Sequence, residues 1–311
     1  MDHVAAVLSR TFPDRRVSAV TPARRGNHKQ TAFVDFADGY SVVVQLSTDP
    51  DELALEMALA EAVRDRTTLP VPRVLATGSI ADSGYAVVER ANGDELHERF
   101  VSLETSVQQE IARTFGRGLA EIHSAFSFEC YGDVAVDRRG ERFEFRADDS
   151  SDWPRWFTAY VRDGIDALPS AFDPVRGSLE DAVEETTVPE TADATLYPWD
   201  FRPGNALVAD GAVSAVLDWG RPLAAAPGLG VAKVEHLVTD WYAADGASLR
   251  GAFRDGYETV RPYPVVEPIY RVSAVVRSAV DSNGEVTRPG YPERTGHRAV
   301  SFHRQRLESL L

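Results

Sequence analysis

From Leu196 to Asn205 the chain reads LYPWDFRPGN, and thirteen residues past the asparagine an aspartate stands in the run AVLDWG. Asp200, Arg202, Asn205 and Asp218 are residue types that can serve phosphoryl transfer from a nucleotide. A carboxylate accepts the proton of an attacking hydroxyl, hard oxygen ligands hold magnesium against phosphates, and a cation offsets charge on the moving group. Asp200 fits the base, Asn205 and Asp218 fit the metal ligands, and Arg202 fits the cation. Each also has a plainer role: an Asp can cap local backbone at a turn, and an Arg can pair with any acid of an acidic protein.

Those side chains need elements to hold them. NALVADGAVSAVLDW reads as strand, Asp-Gly turn and strand, which puts Asp200 and Asn205 on the loop entering a hairpin and Asp218 at its exit. One hairpin would therefore bring the four residues together. Upstream, from Val17 to about Arg90, short β runs dominate: TAFVDF and YSVVVQL flank Asp38 and Gly39 as a second hairpin. A helix starts near Asp51 with acids in its first turn and carries Leu53, Met57, Ala60 and Val63 at helical spacing. LPVPRVLATG returns to extended backbone, and YAVVER reads as a further strand. From about Leu103 helices take over. Ile111, Phe115, Leu119 and Ile122 share one face, and helical stretches follow near Trp153 to Leu168, Val231 to Ala243, Ser248 to Val260 and Ile269 to Val280. Residues 138 to 152 and 184 to 195 are polar enough to be surface loops. His123, beside Ile122, reads as a packed helix-end histidine, and Trp241 and Tyr242 read as core.

With 311 residues, two lobes are expected, at 1–90 and 91–311. No window approaches eighteen apolar residues and the start of the chain lacks a leader pattern, so a cytoplasmic protein with no membrane partner is expected. A single cysteine, Cys130, excludes an intramolecular disulfide, and seven scattered histidines give no transition-metal cluster. The 48 acidic against 33 basic residues give a net charge of −15, a surface that repels nucleic acid. Only Lys29 and Lys233 are lysine. Such avoidance of lysine points to a protein of concentrated salt, with the codon usage of a GC-rich genome as the other explanation.

An Asp followed five residues later by Asn has the spacing of a kinase catalytic loop, and Asp-Trp-Gly parallels the metal-binding Asp-Phe-Gly. Together with the hairpin ending in VVVQL, the helix bearing Glu56, LPVPRVLATG, VVERANG and GLAEIHSAF, the segment DFRPGNALVADGAVSAVLDWG resembles the aminoglycoside phosphotransferase family. That resemblance covers roughly residues 15 to 245. It implies an α+β, bilobal protein-kinase-like fold, with a small β-rich N-terminal lobe carrying one long helix and a larger, mostly helical C-terminal lobe. It further implies a small-molecule kinase that uses ATP and Mg²⁺, holds adenine near Glu89 to Ala91, and phosphorylates a hydroxyl of an aminoglycoside, amino alcohol or sugar.

The sequence departs from that pattern in two places. Where kinases carry a phosphate-binding lysine on the strand after the first hairpin, this chain has Gln45, which leaves Glu56 without its expected partner. The preceding loop ARRGNHKQT offers Arg24, Arg25, Gly26, His28 and Lys29, and Lys29 is the candidate to reach the phosphates. Pro198 and Trp199 replace the His and Gly that precede the family's catalytic Asp. These departures motivate an alternative, a catalytically impaired pseudokinase that binds a nucleotide or metabolite. A hydrolase using Asp200 and Asp218 as paired carboxylates lacks supporting features.

Overall fold

A computed structural model describes residues 2–23, 29–139, 142–190, 192–242, 244–281, 283–287 and 296–311. In the N-terminal lobe, helix α1 (Asp2–Thr11) precedes strands β1 (Val17–Pro22), β2 (Lys29–Phe36) and β3 (Ser41–Ser47), helix α2 (Pro50–Arg66), and strands β4 (Val74–Ile80) and β5 (Ser83–Glu89). The strands form one antiparallel sheet in the order β1-β2-β3-β5-β4. Alternation divides its faces. Val34, Val42 and Val44 pack under Val4, Val7 and Leu8 of α1, while Ala86 on the opposite face meets Leu53 and Met57 of α2. The register pairs Lys29 with Ser47 and Thr31 with Gln45, and Gln45 with Ala86. Lys29 and Gln45 therefore project from the same face, the one that α2 covers.

Helix α2 begins where the sequence places it, because the Asp49 side chain accepts from the Glu52 amide at 2.9 Å and Pro50 fits the first turn. Helix α1 has no counterpart in the sequence reading, so the lobe has a short helix besides its long one.

The C-terminal lobe opens with β6 (Asp94–Glu95), α3 (Leu96–Arg99) and the 21-residue α4 (Thr105–Ala125), followed by β7 (Ser127–Phe128), β8 (Gly132–Arg139) and β9 (Arg142–Ala147). Residues 138 to 152 are thus not all loop. Strand β9 pairs with β8 from Val134↔Ala147 to Arg139↔Arg142, and its half-buried Phe143 and Phe145 alternate with exposed Glu144 and Arg146. Then come α5 (Trp153–Asp166), α6 (Asp173–Glu185), β10 (Ala194–Tyr197), the hairpin β11 (Ala206–Ala209) and β12 (Ala212–Val216), and β13 (Leu223–Ala225). Helices α7 (Pro227–Glu235), α8 (Gly246–Glu258), α9 (Pro268–Val276) and α10 (His297–Glu308) complete the lobe, with one π-helical turn over His236–Asp240 after α7. The α4 stripe of Ile111, Phe115, Leu119 and Ile122 is fully buried and shares a core with Phe253 and Tyr257 of α8. No helix among the described residues is long and apolar enough to cross a membrane.

Candidate active site

The hairpin that organises the site is built locally. Asp210 and Gly211, both at positive φ (51° and 77°), make the tight turn between β11 and β12 that suits the twist of paired strands. At its open end the Leu217 amide donates to the Asn205 carbonyl at 2.8 Å, so the residues flanking Asp218 and the loop ending at Asn205 are joined through backbone. Two aromatic residues pin the same junction from below. Phe201, next to Asp200, stacks on Trp219, next to Asp218, at 5.8 Å between ring centroids, and both are buried. Phe201 also packs on Phe115 of α4 at 4.8 Å. The two candidate acids thus stand on residues whose neighbours share one stack. Both remain accessible: the side chains of Asp200 and Asp218 are 32% and 48% exposed. Asp218 holds φ at 62° and Arg221 at 51°, left-handed backbone that costs energy in residues other than glycine and concentrates at functional sites.

Within the loop, the Asn205 side-chain amide donates to the Asp200 carbonyl at 3.1 Å. That commits the nitrogen of the amide and leaves its oxygen as the ligand face. Arg202 places Nε 3.3 Å from Asp200 Oδ1, so the guanidinium attends the candidate base itself.

The electrostatic link between the lobes differs from the sequence expectation. Glu56 has a partner: Lys29 Nζ donates to both Glu56 carboxylate oxygens at 2.6 Å and lies 3.3 Å from Asp218 Oδ1. The lysine comes from β2, one strand away from the position occupied by Gln45, and reaches Glu56 because both strand positions face α2. Gln45 keeps a buried Oε1 with no hydrogen-bond partner among the described residues. Burial acts to lower Lys29, but attraction to Glu56 and Asp218 outweighs it and holds the ammonium above its ordinary value. Burial likewise pushes Glu56 up, against the pull of Lys29. A second pair reinforces the link, with Arg221 Nε 3.1 Å from Glu52 Oε1. Lys29 also borders a cavity of about 340 Å³ that it shares with His3 of α1, Gln30, Leu46, Ser47, Thr48 and Ser83. Gly26, Arg24, Arg25 and His28 lie outside the described residues.

Glu89 ends β5 with its amide bonded to the Arg73 carbonyl, and Ala91 begins the crossing between lobes; both are half-buried. Gly93 is required there: its φ is 135°, and a Cβ would come within 2.8 Å of the Val208 carbonyl oxygen. Ser214 Oγ donates to the Asn92 carbonyl at 2.7 Å, so the crossing segment rests on the β11–β12 hairpin. Trp241 and Tyr242 are core residues, and His123 is buried against Tyr257 with Nδ1 2.8 Å from its hydroxyl. Among the described residues no three His, Cys, Asp or Glu side chains are grouped to hold a metal. The donors at hand, one carboxylate and one amide oxygen, fit magnesium, which keeps water and phosphate oxygens for its remaining positions.

A β-rich lobe followed by a helical lobe, with a carboxylate loop and a second Asp loop at their junction and a Lys–Glu pair on the β-rich side that reaches Asp218, is the arrangement of the protein-kinase-like fold. Residues 19–269 match the family described as the phosphotransferase enzyme family. The chain belongs to that family and is a phosphotransferase. Aminoglycoside phosphotransferase APH(4)-Ia is similar in structure, with a TM-score of 0.65 and 17% identity over 99% of this chain and 97% of that one. A thermostable mutant of that protein, in ternary complex with AMP-PNP and hygromycin B, gives 0.64 and 18% over 100% and 98%. A candidate fructosamine-3-kinase from Thermobifida fusca gives 0.59 and 19% over 99% of each chain. No curated protein matches the sequence significantly.

Two contributors escape the sequence reading: the Phe201–Trp219 stack and the Arg221–Glu52 pair. The first was signalled by an aromatic residue immediately after each candidate acid.

Proposed function

We propose that the protein transfers the γ-phosphoryl group of ATP to a hydroxyl of a small molecule, with the nucleotide between lobes divided near residue 90. The observation that carries this reading is the three-membered chain Lys29–Glu56–Asp218, which ties β2, α2 and the Asp218 loop together in a chain that lacks a lysine on β3. Asp200 orients the acceptor hydroxyl and takes its proton, with Arg202 holding the carboxylate in place. Asn205 and Asp218 would hold Mg²⁺, which when bound neutralises charge on the β- and γ-phosphates. Lys29, fixed between two carboxylates and bordering open space, positions phosphate oxygens in the role that Gln45 leaves vacant. The half-buried Val43 and Val88, paired in register, and the exposed Leu217 offer apolar surfaces for adenine beside Glu89 to Ala91. Orientation of two bound reactants supplies most of the rate enhancement.

The acceptor class follows from similarity in fold to a hygromycin-binding relative and to a candidate fructosamine kinase: a hydroxylated amine or sugar. Asp200→Asn tests the assignment. Turnover over a panel of aminoglycosides, amino alcohols and sugars should vanish while ATP·Mg²⁺ still raises the melting temperature. Persisting turnover would place the base elsewhere. A wild-type protein stabilised by ATP·Mg²⁺ but inert over the panel would instead support a nucleotide-binding role without catalysis.

A further inference from the structure

Lys233 lies on α7 with 2% of its surface exposed, in a site where burying an ammonium costs several kcal/mol unless partners compensate. A leucine or methionine would fill such a position without that cost. The partners present are specific. Nζ donates to the Arg277 carbonyl at 2.7 Å, at the C-terminal end of α9, and lies 4.9 Å from the centroid of the Trp199 ring. Trp199 immediately precedes Asp200. Its ring also meets Tyr197 edge-on at 6.2 Å and Tyr160 at 6.5 Å, and those two tyrosines share a hydroxyl contact of 3.2 Å. Arg277 closes the circuit, its guanidinium 4.0 Å from the Tyr160 ring centroid. The backbone from Tyr197 to Asp200 is therefore enclosed by a cation–aromatic ring drawn from α5, β10, α7 and the end of α9.

We propose that Lys233 is a positioning residue, a buried ammonium that braces the catalytic loop through Trp199 and couples its own charge to that of Asp200. The inference rests on the assignment of Asp200 as the base. Three charged groups act on Lys233 besides its burial. Burial draws the ammonium down to about 7, Asp200 opposes that shift, and Arg202 and Arg277 add to it. His236, one residue past α7, feels the same charge and is itself pushed down, chiefly by burial. Tyr160 and Tyr197 face the cluster as neutral phenols, burial having pushed Tyr160 up to about 12 and Tyr197 well above its ordinary value. Among the described residues, Asp200 is thus the anion that favours the charged form of Lys233.

Because the chain has only two lysines, side-chain NMR of the full-length protein labelled with ¹³C,¹⁵N-lysine yields two signals, assigned with Lys233→Met, which keeps the aliphatic length. One signal is expected to titrate at about 7 and the other, from Lys29, above the ordinary 10.5. Asp200→Asn should weaken proton binding at Lys233 by roughly threefold or more, about half a pH unit, and should leave Lys233 buried. Lys233→Met should also move the indole N–H signal of Trp199, identified by its loss in Trp199→Phe. Two lysines both titrating above about pH 9 overturn the proposal, as does a Lys233 signal indifferent to Asp200→Asn or an indole signal indifferent to Lys233→Met. None of these measurements needs turnover, so their failure would leave the phosphotransferase reading intact, and an inactive panel would leave this one intact.

Discussion

Removing the ammonium of Lys29 should expose how much the link between the lobes depends on it. At 2.6 Å the attraction between Lys29 and Glu56 amounts to about 6 kcal/mol at the effective dielectric of a protein surface. The contact with the half-exposed Asp218 at 3.3 Å adds about 1 kcal/mol at the dielectric of water. Most of the larger figure offsets desolvation of Glu56, whose side chain is only 5% exposed. In Lys29→Ala the stranded carboxyl can escape by taking a proton. At pH 7, from an ordinary value of 4.5, that costs about 3 kcal/mol, which caps the loss. Because burial already raises Glu56 in the native protein, the expected loss lies below that cap. Protonating Glu56 relieves it, so the difference between wild type and variant should shrink as the pH falls toward 4.5. Urea unfolding at several pH values reads this directly, and calorimetric titration with ATP·Mg²⁺ reads the second consequence, a weaker phosphate grip. Restoring a lysine on the same sheet face, Gln45→Lys in a Lys29→Gln background, should recover part of the affinity. A Lys29→Ala protein that loses less than about 1 kcal/mol, with no pH dependence and unchanged nucleotide affinity, would refute the reasoning.

Other perturbations have equally definite signs. Burial draws His123 down to about 3, with Arg261 contributing, so the folded state keeps a neutral ring that the unfolded chain protonates below its ordinary 6.5. Stability from this group is therefore complete above 6.5 and falls by about 1.4 kcal/mol per pH unit down to about 3, a slope that His123→Asn should flatten in acid unfolding curves. The depressed Lys233 works the other way round in range: its penalty is fully present below about 7 and fades as the pH rises toward 10.5. Lys233→Met should consequently melt higher than wild type at pH 6, with the gap closing in alkali, if the lost contacts with Arg277 and Trp199 cost less than burying the charge; a lower melting temperature at pH 6 would show that those contacts dominate. With a net charge of −15, raising NaCl from about 0.1 M to 1 M, which shortens the screening length from about 10 Å to 3 Å, should raise the melting temperature. A flat or falling response would remove the case for concentrated salt.

What the sequence determined by itself was local. Asp200, Asn205 and Asp218 belong to one hairpin whose Asp-Gly turn and alternating strands are written in consecutive residues, so their grouping followed without tertiary contacts. The α4 stripe, the start of α2 near Asp51 and the succession of a β-rich by a helical region were legible for the same reason, since period and first-turn charge are short-range properties. Helix α6 had a signal in Val175, Leu179 and Val183 at helical spacing, and β9 had one in the alternation around Phe143 and Phe145, but polar composition masked both. Only the tertiary structure decided the charge partners. Lys29 and Glu56 lie 27 residues apart on a strand and a helix, and only sheet register and the seating of α2 bring them together. Lys233 meets Trp199 and Arg277 through packing of α7 against the Asp200 loop and α9, contacts with no sequence periodicity to announce them. A sequence lists which charges exist; which of them share a low-dielectric junction is set by how the elements pack.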